Sequence, residues 1–106
     1  MKIIHFEANA QSLESWVAMN DNDEVVGHIF MLIEKDKRIK FMDAWVKTEY
    51  RRKGIYRKLW EERWEYVNKN FKGFTAYAWC KENSLPLLTE KEFDIIENST
   101  LVEKEI

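Results

Sequence analysis

One cysteine, Cys80, is all the thiol chemistry this chain holds, so no internal disulfide can form and a reducing compartment suits it. Histidine is nearly as scarce. His5 and His28 stand apart, without cysteine or carboxylate at ligand spacing, which excludes a recognisable metal site. No apolar run approaches the length that crosses a bilayer, and the opening Met-Lys-Ile-Ile-His-Phe-Glu is charged too early for a signal peptide. Charge of one sign is lacking too. A formal net charge of −2 gives no overall pull toward nucleic acid or an anionic membrane, so any anion site must be local. Repeats and low-complexity tracts are absent. A single cytoplasmic domain over residues 1–106 is the expectation.

What the chain has is aromatic bulk. Five Trp, six Phe and four Tyr in 106 residues point to an aromatic-rich core, and 45% hydrophobic with 34% charged residues is the balance of an ordered domain. Lys2 to Glu7, Ser15 to Asn20, Glu24 to Glu34 and Arg38 to Val46 read as strands. Asp21-Asn22-Asp23 and Asp36-Lys37 supply turns. Ile39, Phe41 and Asp43 fall on one face of the fourth strand if its alternation is unbroken. Gly27 inside the third strand predicts a bulge or a close backbone approach. From Ile55 to Phe71 the period changes to a helix, with Tyr56, Trp60, Trp64, Val67 and Phe71 as its apolar stripe, widened by Ile55, Leu59 and Tyr66. That stripe is core, not a base-stacking platform, because it must cover the sheet. Phe74 to Trp79 is a further strand, and strand–helix–strand order implies a crossover and parallel pairing. Asn83-Ser84 can start a short helix to Glu90, and strands over Glu92–Glu97 and Leu101–Ile106 flank the Asn98-Ser99-Thr100 turn.

The most informative stretch joins the fourth strand to the helix. Trp45-Val46 ends the strand, a polar loop carries Arg51, Arg52, Lys53 and Gly54, and Ile55-Tyr56 opens the helix. The first turn of a helix has unpaired N–H donors and the positive end of the dipole, so this order aims backbone N–H groups at phosphate. Gly54 can take a positive φ or let an anion approach the backbone. Arg57 and Lys58 in the first helical turn oppose the helix dipole, a penalty that a bound polyanion would reverse.

Val46-x-x-x-x-Arg51-Arg52-Lys53-Gly54-Ile55-Tyr56, followed by Leu59, resembles the acyl-CoA-binding motif of GNAT N-acetyltransferases, (Arg/Gln)-x-x-Gly-x-(Gly/Ala) after a strand ending in Val. Arg51 and Gly54 match, and Tyr56 departs from the final small residue. The order of elements extends the resemblance over nearly the whole chain, with Asn83 similar to the family's Asn after the fifth core strand and Glu92-Phe93 similar to its Gly-Phe. The resemblance implies an α/β fold, more narrowly α+β: a mixed, mainly antiparallel sheet with one long and one short helix. It implies acetyl-CoA as co-substrate, held by Trp45, Val46, Arg51, Arg52, Lys53, Gly54, Ile55, Tyr56 and Asn83. It also implies direct transfer of an acetyl group to an amine of a small molecule, peptide or protein. The family's N-terminal helical region is nearly absent, since Ala8 to Leu13 has room for one turn at most. A second subunit or a protein acceptor could close that side.

The acid–base positions depart from the family pattern. Leu88 stands where a Tyr often protonates the leaving thiolate, and Lys40 where a Glu often serves as base. Asp43 and Glu49 are the nearby carboxylates and the weak catalytic candidates. Without a placed base, the amine's own pKa decides. A lysine side chain at ~10.4 is neutral about one time in a thousand near pH 7.4, a cost of ~4 kcal/mol, whereas an α-amine at ~7.7–8.0 loses well under ~1 kcal/mol. A low-pKa amine is the easier acceptor. The departures also motivate a rival: a GNAT-fold module that senses acyl-CoA or contacts protein or RNA through Lys35–Lys40 and Arg51–Lys58 without catalysis. His28 reads as a hydrogen-bonded or surface side chain and Cys80 as a small hydrophobe.

Overall fold

The structure, a computed structural model, describes residues 1–79, 90–91, 93–95 and 101–106, with Asp43 and Ile95 described by backbone alone. The short helix expected from Asn83 and the turn at Asn98-Ser99-Thr100 lie outside those residues.

Tight polar turns make the first half a meander. β1 (Lys2–Phe6), β2 (Leu13–Met19), β3 (Val25–Glu34) and β4 (Arg38–Val46) pair antiparallel in sequence order. The Asn20 side chain accepts the N–H groups of Asn22 and Glu24, and Asp36 and Lys37 take left-handed φ values of 61° and 57°. These are the local Asx bonds and positive φ angles that turn residues supply. β2 begins at Leu13, two residues ahead of the expected Ser15. Asn9 Oδ1 accepts the Gln11 and Leu13 N–H groups, and Ser12 O takes the Ile33 N–H, so pairing reaches back to the turn.

After β4 come a 3-10 turn at Thr48–Tyr50 and the helix α1 (Ile55–Asn70), then β5 (Thr75–Trp79), β6 (Asp94–Ile95) and β7 (Leu101–Glu105). β5 runs parallel to β4, as the crossover requires, and the sheet order is β1-β2-β3-β4-β5-β7-β6. The fold is therefore the expected mixed, mainly antiparallel sheet with one main helix.

α1 covers one sheet face. Ile55, Leu59, Trp60, Arg63 and Val67 are its buried residues, and they meet Ile29, Met31, Ile39, Phe41 and Val46. The helix's buried row is thus Ile55–Leu59–Arg63–Val67 at i, i+4 spacing, with Tyr56 and Trp64 half-buried on its flank. This rotates the expected stripe by about one residue. Trp60 and Trp64 pack around Phe41 and Phe93 with ring centroids 5.5–6.3 Å apart. They are core, as expected.

Arg63 is the exception on that row. Its guanidinium carbon lies 3.9 Å from the Phe41 ring centroid and 4.7 Å from that of Trp60, and its Nη1 donates to the Phe30 carbonyl at 2.8 Å. Burial lowers the guanidinium to about 9, with Tyr56 acting in the opposite sense, so it stays charged at neutral pH.

The second buried charge is Glu14, 2% exposed. His5 Nε2 lies 2.6 Å from its Oε2, and the imidazole stacks on Trp16 at 4.4 Å. Tyr66 closes the cluster edge-on to His5, its hydroxyl pushed up to about 12 by burial and then by Glu14. A buried acceptor that loses one of its donors, here with the Tyr66 hydroxyl left as a partner, retains part of its desolvation penalty. His5→Leu is therefore expected to cost about 1–3 kcal/mol, read as a lower midpoint in urea. An unchanged midpoint would mean that Glu14 finds water instead.

Candidate functional site

The site begins at the far end of β4. Among the described residues its parallel pairing with β5 runs from Arg38↔Thr75 to Phe41↔Ala78, while β4 continues to Val46 against β3. Trp79 pairs instead with Leu101 of β7. Among the described residues, no strand pairs with β4 from Met42 to Val46 on the side away from β3. A bulge marks this stretch: His28 pairs with Trp45 but Phe30 with Met42, so two β4 residues stand opposite Ile29. The extra residue also switches the alternation, so Phe41 and Val46 are both buried on the α1 face.

Lys47 N–H reaches back to Val26 O at 2.8 Å. Groups on successive strand residues point to opposite sides, so those of Val46 point away from β3. There the Val46 carbonyl accepts from Arg51 Nε at 2.9 Å. Arg51 Nε thus ties the loop to the strand end. The Val46 N–H points to the same side, where a donor could meet a thioester carbonyl or an amide of a pantetheine arm.

The loop then turns through left-handed angles at Arg52 (φ 60°) and Gly54 (φ 81°), and Gly54 is the N-cap of α1 with no side-chain capping bond. No acidic residue stands in the first turn. Arg51, Arg52, Lys53 and Gly54 are exposed around these uncapped donors. Nothing lies within 4 Å of a Cβ built on Gly54, so it is the φ angle, not crowding, that selects glycine. Tyr50 braces the loop from below, its hydroxyl accepting from Asn20 Nδ2 at 3.0 Å and its ring lying 5.5 Å from Lys53 Nζ. Uncapped N–H groups, flanking cations and an adjoining strand edge fit a phosphate-bearing ligand with an extended amide arm.

The model of the acetyltransferase (GNAT) family matches residues 2–88. The chain belongs to that family. Solved structures share its fold. A GNAT-family acetyltransferase from Staphylococcus aureus superposes with TM-score 0.69 at 16% identity, covering 89% of this chain and 68% of that one. The GNAT N-acetyltransferase YhbS of Escherichia coli, in complex with CoA, gives 0.68 at 17%, covering 85% and 57%. An IAA acetyltransferase from Bacillus cereus gives 0.65 at 17%, covering 96% and 95%. At such identities the likeness is one of fold. The chain spans about two thirds of the S. aureus chain and 57% of the E. coli one. No curated protein matches it.

Within this GNAT domain the motif residues take different parts. Val46 and Ile55, 8% and 4% exposed, are core anchors at either end of the loop. Tyr56 is half-buried along the helix flank, so the aromatic departure in the motif packs against the fold. Trp45 is exposed on the other sheet face. Glu49 sits exposed in the 3-10 turn, 3.5 Å from Lys47. Asn83, Leu88 and Cys80 lie outside the described residues, as does the Asp43 side chain. Lys40 pairs in register with Leu32 and Tyr77 on the face away from α1.

That second face carries what the motif search did not single out. His28 stacks on Phe30 at 4.6 Å and on Trp45 at 5.3 Å, and these three with Ala44 line an open depression of about 420 Å³ beside the bulge. Half of this signal was present in the sequence: His28 and Phe30 share parity, but only the β4 bulge brings Trp45 opposite His28.

Proposed function

We propose that this domain binds an acyl-CoA, acetyl-CoA foremost, and transfers its acyl group to a primary amine in the cytoplasm. The observation that carries the reading is the junction of two features at one place. The uncapped start of α1, ringed by Arg51, Arg52 and Lys53, adjoins the β4 edge from Met42 to Val46, which no strand among the described residues pairs on the side away from β3. Pyrophosphate would meet the N–H groups of the Gly54–Tyr56 segment, and the pantetheine arm would run along the β4 edge. Membership of the GNAT family supports acyl transfer as the chemistry. With the strand end held by the Arg51 bond to the Val46 carbonyl, the Val46 N–H would serve as a donor to the charge developing on a tetrahedral intermediate, a role worth a few kcal/mol. No helix among the described residues is long and apolar enough to cross a membrane.

Calorimetric titration with acetyl-CoA tests it. One saturable site per chain, with CoA competing, is the expected result. A folded protein that ignores acetyl-CoA but binds RNA, with affinity falling steeply in salt, would overturn it in favour of an interaction module.

A further inference from the structure

We propose that Arg63 is a positioning residue: bonded to Phe30 on β3 and lying on Phe41 of β4, it holds the β4 bulge at Asp43-Ala44 and so fixes which β4 backbone groups turn toward the acyl-CoA. The inference rests on the acyl-CoA reading above and adds the device that sets the strand edge.

Side-chain sorting argues first. Phe41 and Val46 are both buried against α1, although strict alternation would put them on opposite faces. One extra residue must therefore enter the strand between them, but sorting alone does not say where. Any place from Met42 to Trp45 would satisfy it. The register puts the extra residue opposite Ile29, between the pairs Phe30↔Met42 and His28↔Trp45. Something has to select that place.

Contact argues second. Arg63 Nη1 donates to the Phe30 carbonyl at 2.8 Å, and Phe30 belongs to the last pair before the shift. The guanidinium carbon lies 3.9 Å from the ring centroid of Phe41, the chain neighbour of Met42. One planar group thus touches both strands where their register changes. Moving the bulge one residue toward Arg38 would set Asp43 rather than Met42 opposite Phe30. It would also change the spacing between carbonyl and ring that the guanidinium spans.

Cost argues third. Arg63 is 2% exposed in the row Ile55–Leu59–Arg63–Val67, whose other members are aliphatic. Its Nε is buried without a hydrogen-bond partner. Replacing a buried charge by an apolar side chain of similar volume is often neutral or stabilising, so packing does not select arginine here. What leucine or methionine cannot supply is a donor for a strand carbonyl and a planar cation for the Phe41 face.

The consequence reaches the site. With the bulge held there, Met42 and Trp45 keep their β3 partners, and Lys47 keeps its bond to Val26 O. The extra residue of Asp43-Ala44 is left off the β3 ladder, and the Val46 N–H stays directed away from β3. Those are the groups along which a pantetheine arm would run.

The test compares wild type with Arg63→Met, an unbranched apolar side chain, and Arg63→Lys, which keeps a cation and a donor but loses the fork. In ligand-free protein, Arg63→Met should speed amide exchange at Met42 and Trp45 at least about tenfold, with Ala18 on β2 and Val67 on α1 within about twofold of wild type. Its urea midpoint should stay within about 0.5 M of wild type. Acetyl-CoA affinity by titration should fall about tenfold, because the ligand must then order the strand edge on binding. Arg63→Lys should fall between methionine and wild type in both readouts, and it carries the comparison with wild type if Arg63→Met does not fold. Wild-type exchange at Met42 and Trp45 in Arg63→Met overturns the proposal. Exchange speeded equally at Ala18 and Val67, with a fallen midpoint, makes Arg63 a core residue only and overturns it too. A lysine variant no better than methionine overturns the role of the donated bond. Wild-type acetyl-CoA affinity in a variant with loosened bulge amides overturns the link to the ligand. A wild-type protein that does not bind acetyl-CoA would instead remove the reading beneath, while the exchange rates still decide what holds the bulge.

Discussion

Replacing Gly27 with valine is expected to destabilise the domain by about 3 kcal/mol and to disturb the site from behind. Gly27 lies on β3 opposite Val46, under the start of α1. A Cβ there would stand 3.1 Å from the Trp45 carbonyl oxygen, 3.3 Å from Leu59 Cδ1 and 3.4 Å from Ile55 Cγ2. The two side chains can swing, but the carbonyl belongs to the β3–β4 ladder and cannot withdraw without loosening it. Alanine adds this one tight contact and gains about 0.4–1 kcal/mol from a less flexible unfolded chain, so Gly27→Ala should be close to neutral. Valine adds two more methyl carbons between strand and helix, and overpacking of that kind costs about 1–3 kcal/mol on top of the first contact. For a domain of this size each kcal/mol lowers Tm by roughly 4–8 °C, so a fall of about 12–24 °C is expected. Acyl-CoA affinity should fall with it, because the displaced atoms join the strand end to Ile55. A thermal melt by circular dichroism reads the first effect and titration the second. A valine variant melting within about 2 °C of wild type would show that the close approach constrains nothing.

The same contact shows what was legible in the sequence. Gly27 announced a bulge or a close approach, and both are present: the β2–β3 register shifts between Ala18 and Met19, beside it, and the Trp45 carbonyl crowds it. β4 was readable to the residue because turn residues bound it before Arg38 and the basic loop follows Val46. The start of α1 was readable because Gly54 punctuates it. What could not be read are features set by distant partners. Glu14 and Arg63 look like surface charges in a local window, and only the approach of His5 across β1 and of the Phe30 carbonyl across β3 makes their burial tolerable. The β4 bulge is equally silent, since the local pattern Phe41-Met42-Asp43-Ala44-Trp45-Val46 continues to look alternating. Yet that bulge turns Trp45 outward to His28 and Val46 inward to α1. The candidate site was therefore half legible: the anion loop from local chemistry, the aromatic depression only from register.

The double variant Arg51→Ala/Gly54→Glu is expected to weaken acetyl-CoA binding at least about 100-fold, roughly 2.7 kcal/mol or more, while costing the fold little. Removing the Arg51 side chain deletes the 2.9 Å bond to the Val46 carbonyl, so the loop is no longer held against the strand edge. A ligand must then order the loop on binding, at about 0.5–1.5 kcal/mol per immobilised side chain, and it loses a cation as well. Glutamate at residue 54 acts in two opposing ways on the fold. Its side chain at φ 81° costs about 1–2 kcal/mol, whereas its carboxylate at the uncapped helix start returns about 0.3–1 kcal/mol through the dipole. For the ligand both effects run the same way, because the carboxylate occupies the anion's place and repels its phosphates. Stability should thus drop by about 1 kcal/mol while affinity collapses, a separation that a general folding defect cannot mimic. Paired calorimetry and urea denaturation of the variant and of wild type read both quantities. A variant that unfolds as expected yet binds acetyl-CoA as tightly as wild type would move the cofactor away from the Arg51–Tyr56 loop altogether.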